Sequence, residues 1–76
     1  MDIRHDPENN IAYIRFMPKM TGVETIELSG DVNIDLAPNG ALYGIELLNA
    51  NEQLKADGGV LHFLNVATKF QQEFPI

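Results

Sequence analysis

Hydrophobic and polar residues alternate through most of the first 48 positions, and the pattern changes after that. Ile11–Met17, IAYIRFM, is rich in β-branched and aromatic residues and reads as a strand. Ala12, Ile14 and Phe16 share one face of it, and Tyr13 and Arg15 the other. Ile3–His5 is a short run before the polar turn cluster Asp6-Pro7-Glu8-Asn9-Asn10, so the two segments form an N-terminal hairpin. In Val23–Leu28, Ile26 and Leu28 point inward, and Thr25 and Glu27 outward. Ser29-Gly30 is a turn signal, after which Val32, Ile34 and Leu36 alternate with Asn33 and Asp35. Leu42–Leu48 places Tyr43, Ile45 and Leu47 on one face and Leu42, Gly44, Glu46 and Leu48 on the other. Gly44 inside this strand signals a bulge or a close approach by another element.

Between the last two strands stands Pro38-Asn39-Gly40. Asn-Gly flanked by alternating apolar residues is the strongest short-range hairpin signal, and it predicts a two-residue type I′ turn with positive φ at both residues. Ile34 and Ile45 then lie beneath a common apolar cover.

Asn49–Ala56 contains good helix formers and stops at Asp57-Gly58-Gly59. Beyond it Val60, Phe63, Leu64, Ala67, Phe70 and Phe74 recur at steps of mostly three and four, which predicts a second helix, with a strand over Val60–Val66 as the alternative. The expectation is therefore an α+β domain spanning residues 1–76: a meander-like antiparallel sheet of four or five strands over 1–48, then one or two C-terminal helices within 49–76.

Size sharpens this picture. A chain of 76 residues and 8.5 kDa folds as one domain exposing roughly 4,600 Å². Cysteine is absent, so neither disulfides nor thiolate zinc sites stabilise so small a core, and self-association is the remaining device. Eleven carboxylates against five Lys and Arg give a net charge of −6. Such a surface repels phosphate backbones and anionic lipid, which disfavours nucleic-acid and membrane partners. Met1 is followed by Asp-Ile-Arg-His-Asp rather than a basic segment and an apolar run, so a cytoplasmic location is expected.

The residues IRHDPENNIAYIRF and GDVNIDLAPNGALYGIELLNA resemble the small prokaryotic domain-of-unknown-function family 2283. The matching positions are Asp6, Pro7, Glu8, Ala12, Tyr13, Ile14, Ile34, Asp35, Gly40, Gly44, Ile45, Glu46, Leu48 and Ala50, within about residues 3–54. The resemblance supplies no catalytic residues, because the family has no assigned activity. It implies an antitoxin-like role, in which the partner is a small toxin-like protein encoded nearby. Val60–Ile76 departs from the family pattern.

Little in the chain suggests chemistry. Glu27, Asp35 and Glu46 share a sheet face if their strands are neighbours, and such a face could take a hard divalent cation or a small ligand; the competing reading is a solvated face balanced by Arg4 and Arg15. Asp31-Val32-Asn33-Ile34-Asp35 opens like a calcium loop, but Leu36 replaces the turn glycine. His5 and His62 each lack a second ligand at helical spacing, and Ser29 sits in a simple turn. No cofactor and no catalytic constellation is expected. The remaining candidates are aromatic: Tyr13, Tyr43, Phe63, Phe70 and Phe74 are suited to a covered surface, shared within the chain or across a homodimer. The favoured function is a self-associating protein-interaction module, with cation or small-ligand binding as the alternative.

Overall fold

The computed structural model describes residues Met1–Ile76. Five strands, β1 (Asp2–Asp6), β2 (Ile11–Arg15), β3 (Glu24–Ser29), β4 (Val32–Leu36) and β5 (Leu42–Leu48), form one antiparallel sheet in the order β1-β2-β5-β4-β3. The helix α1 (Ala50–Lys55) follows, and then β6 (Val60–Leu64) and β7 (Gln71–Pro75) pair with each other as a separate hairpin. No helix is long and apolar enough to cross a membrane.

This corrects the expected fold class. The protein is mostly β, with seven strands in two antiparallel sheets and one short helix, rather than α+β with a helical C-terminal part. The apolar spacing over Val60–Phe74 is produced by two strands of a hairpin. Leu61 and Phe63 alternate along β6, Phe74 lies on β7 with Phe70 just before it, and Leu61 pairs with Phe74. The intervening loop sets the offset that mimics helical steps. Its turn is built locally: the Asn65 side-chain oxygen accepts hydrogen bonds from the N–H groups of Ala67 and Thr68, and Lys69 adopts φ 65°.

The β4–β5 reversal stands where the sequence placed it, but its geometry differs from type I′. Only Gly40 takes a positive φ (84°); Asn39 does not. Pro38 is the reason, since its ring fixes φ near about −65° and suits the second position of a type I turn. The Gly40 N–H donates to Ala37 O at 2.8 Å, Ala41 O accepts from Ala37 N–H, and the Asn39 side chain caps Ala41 N–H at 3.0 Å. The left-handed Gly40 is the extra residue of a loop closed by Ala37 and Ala41, and a separate register shift lies between Asp35 and Leu36, where Tyr43 is the additional residue on β5.

Register gives the sheet two unlike faces. Ile3 pairs with Ile14, Ile14 with Ile45, Ile45 with Ile34, and Ile34 with Ile26, so one row of isoleucines crosses all five strands. The opposite face carries the polar rows Arg4–Tyr13–Glu46–Asn33–Glu27 and Asp2–Arg15–Gly44–Asp35–Thr25.

The apolar face is not closed over. Ala12, Ala37, Tyr43, Gly44 and Ala50 are the only buried residues; no Ile, Leu, Val, Phe or Met is buried. The isoleucine row is half-buried along its middle and reaches 46% exposure at Ile3 and 40% at Ile26. At the β1–β2 end, an open groove separates the β6–β7 hairpin from the sheet.

Candidate functional site

Two constructions could carry function: the tyrosine–carboxylate cluster on the polar face, and the open apolar groove on the other.

The cluster is organised by Gly44. Tyr13, on β2, extends its ring diagonally across β5 to β4, and only a residue without a side chain lets it pass. A Cβ at Gly44 would clash with the Tyr13 phenol oxygen and sit 2.6 Å from ring carbon Cζ. The sequence signal at Gly44 is therefore realised as a close approach. Beyond the glycine the Tyr13 hydroxyl donates to Asp35 Oδ2 at 2.5 Å, and Thr25 Oγ1 donates to Asp35 Oδ1 at 2.6 Å. Along the neighbouring row Asn33 Nδ2 donates to Glu46 Oε1 at 2.9 Å. Burial, and then the Asp35 carboxylate accepting its proton, push the Tyr13 phenol well above its ordinary pKa. It is a hydrogen-bond donor at neutral pH, not a base.

The structure thus places Glu27, Asp35 and Glu46 on one sheet face. Glu27 and Glu46 flank Asn33 in one row, and Asp35 lies in the next row, held by Tyr13 and Thr25. No group of three His, Cys, Asp or Glu residues stands close enough to hold a metal ion. Near the edge, Asp2 bridges Arg4 at 2.9 Å and Arg15 at 3.6 Å, and the Arg4 hydrogen bond is the main influence holding its carboxyl below the usual range. His5 and His62 are far apart in the chain and engage amide side chains, Asn51 and Gln71 respectively.

Tyr13 makes the polar face titrate at high pH. The folded pKa is raised, so unfolded tyrosine, ionising near about 10, releases its proton first. This contribution to stability is complete below pH 10 and is lost as pH rises above it. We expect the urea midpoint of the protein to fall above pH 10. The Tyr13→Phe variant should show a shallower fall, and an unchanged alkaline slope in that variant would contradict the arrangement.

The groove lies between the hairpin and the β1–β2 end of the apolar face. Its volume is about 660 Å³, and it is lined by Ile3 and Ile14 below and by Leu61, Phe63, Phe70 and Phe74 above. The Phe63 and Phe70 rings pack edge to face with centroids 6.2 Å apart, a favoured aromatic geometry, yet both remain at least half exposed. Of the aromatic candidates read from the sequence, the structure brings Phe63, Phe70 and Phe74 together here. Tyr13 lies on the opposite face, and Tyr43 is buried within the chain.

A third group escaped the sequence reading. Asn10, in the β1–β2 turn, accepts the Asn51 backbone N–H on its side-chain oxygen at 2.7 Å, and its carbonyl accepts from Ala50 N–H at 3.1 Å. Asn49, the residue before the helix, makes no side-chain cap of its own. A distant residue therefore caps α1. The only sequence signal is the presence of two asparagines on each segment, Asn9 and Asn10 on one and Asn49 and Asn51 on the other.

The family model described as Protein of unknown function (DUF2283) matches residues 2–51 of the chain. The protein is a member of this family. Among curated proteins and solved structures, none matches the chain. The DUF2283 match takes in the whole five-stranded sheet, Gly44 with its tyrosine, and the Asn10 cap. It ends before the β6–β7 hairpin, so of the 12 residues that line the groove only Ile3, His5 and Ile14 belong to the matched segment.

Proposed function

We propose that this DUF2283 protein is a protein-interaction module that self-associates through its apolar sheet face. One observation supports the reading above all others: in a chain that is 45% hydrophobic, no large aliphatic or phenylalanine side chain is buried. Monomeric domains normally bury such residues and rarely expose contiguous apolar patches beyond a few hundred Å². The open row Ile3–Ile14–Ile45–Ile34–Ile26 and the aromatic hairpin together make such a patch. The net charge of −6 opposes association through the opposite face, where most of its partners would meet carboxylates. The polar residues of that face stay in water and keep the assembly soluble.

Sedimentation velocity over a hundredfold range of concentration tests this. The expected result is a concentration-dependent dimer, with a melting temperature that rises with concentration because association stabilises the folded state. A strict monomer at the highest concentration would overturn the proposal.

A further inference from the structure

The structure points to the occupant of the groove: we infer that it is the β3 side of the apolar face of a second copy, each copy seating its Ile26 end beneath the other's β6–β7 hairpin. This rests on the self-association proposed above and specifies its geometry.

The area is right for a second copy. A compact monomer of 8.5 kDa exposes roughly 4,600 Å², whereas this chain exposes 5567 Å². The excess, roughly 950 Å², is close to the 800 Å² or so that each partner loses in a standard protein–protein interface. The radius of gyration agrees: it is 13.9 Å, against about 11.4 Å for a compact chain of this length. A small apolar molecule would fill the groove but leave Ile26, Leu28 and Phe16 exposed, since none of these lines it. A second copy covers the groove and the far end of the isoleucine row together.

Sheet order explains why the contact is reciprocal. Within one copy the hairpin stands over β1 and β2, while β3 lies at the opposite edge. Four strand spacings of about 4.8 Å separate Ile3 from Ile26, close to 19 Å. One copy's hairpin therefore cannot shelter its own Ile26. A two-fold axis solves both problems with one contact, because in an isologous interface residue i meets j and j meets i. The isoleucine row carries no charge, so two acidic chains can meet along it. Edge-to-edge pairing through β3 is blunted by the bulge between Glu27 and Ser29.

The absence of cysteine allows a clean test with the full chain. Phe63→Cys and Ile26→Cys are made in separate preparations, mixed, and treated with a short bis-maleimide. Circular dichroism confirms that each remains folded. The mixture should give a cross-linked dimer at least tenfold more abundant than either variant alone. The single variants Phe63→Glu and Ile26→Glu should each weaken dimerisation at least tenfold by sedimentation. A dimer that sediments normally but yields no excess of the mixed cross-link overturns this geometry and leaves self-association standing. A folded monomer overturns both. A monomer whose native mass spectrum carries a bound apolar molecule overturns this geometry in favour of a ligand groove.

Discussion

Replacing Gly44 by alanine should be among the most damaging single-methyl additions to the sheet. The new Cβ meets two obstacles of different kinds. Tyr13 Cζ at 2.6 Å belongs to a side chain that can swing away, but only by abandoning Asp35. Ile14 O at 2.9 Å is backbone in the neighbouring strand and moves only with the β2–β5 pairing. Overpacking of this kind costs about 1–3 kcal/mol. Displacing the phenol also removes a hydrogen bond to a carboxylate, worth about 1.5–3 kcal/mol when its acceptor is charged, although water partly replaces it. We expect Gly44→Ala to lose about 2–3 kcal/mol. For a domain of this size that lowers the melting temperature by roughly 8–20 °C. Equilibrium urea denaturation of Gly44→Ala, Tyr13→Ala and the double variant separates the two obstacles. If the ring dominates, the double variant should be no less stable than Tyr13→Ala alone. A further loss in the double variant assigns the remainder to the Ile14 carbonyl, and wild-type stability in Gly44→Ala would refute the close packing of Tyr13.

The five-stranded sheet was legible in the sequence because its information is local. Alternation at Val32–Leu36 and Ile11–Met17, with turn residues between the runs, specifies both strand and face, and a slip by one residue would turn the whole isoleucine row to the polar side. Gly44 announced that something passes close by, but strand order, which no local pattern encodes, decides that the visitor is Tyr13. The same holds for Glu27, Asp35 and Glu46: their common face follows from parity, whereas their separate engagements depend on which strands are neighbours.

The C-terminal hairpin was misread because periodicity cannot see a loop. Val60, Phe63, Leu64, Ala67, Phe70 and Phe74 fit a helical stripe only if the residues between Leu64 and Gln71 continue the same element. Asn65 breaks it by offering its side chain to two backbone N–H groups, which competes with helix formation. Val60 and Phe63 also favour strands, and an isolated helix of about 15 residues is marginal in water. Of the five aromatic candidates, only Phe63, Phe70 and Phe74 come together in the structure. What changed is their setting: a helix would have laid them on the sheet, whereas the hairpin holds them above it with space beneath. The groove therefore depends on the correction, and so does the second copy proposed to fill it.

Substitution of Asn10 should separate backbone conformation from capping at the joint between sheet and helix. Asn10 adopts φ 58°, in the left-handed region that asparagine tolerates and alanine does not. From there it caps α1 through its side-chain oxygen on Asn51 N–H, and its Nδ2 donates to Asn49 Oδ1 at 3.2 Å. Asn49, through which the chain enters the helix, is itself left-handed, φ 54°, so Asn10 holds a second left-handed residue from across the sheet turn. Alanine at position 10 loses the cap, about 1 kcal/mol, and adds left-handed strain of about 1–2 kcal/mol. The expected total is about 2–3 kcal/mol. Glycine keeps the conformation and loses only the side-chain bonds, so Asn10→Gly should cost about 1 kcal/mol, and aspartate, which retains the acceptor, less than alanine. Urea midpoints for the three variants give the order Asp and Gly above Ala. Equal losses in Asn10→Gly and Asn10→Ala would mean that the left-handed turn carries no strain. The helix holds Leu54 against the open groove, so Asn10→Ala should also weaken dimerisation more than Asn10→Gly, provided both are compared at equal folded fraction.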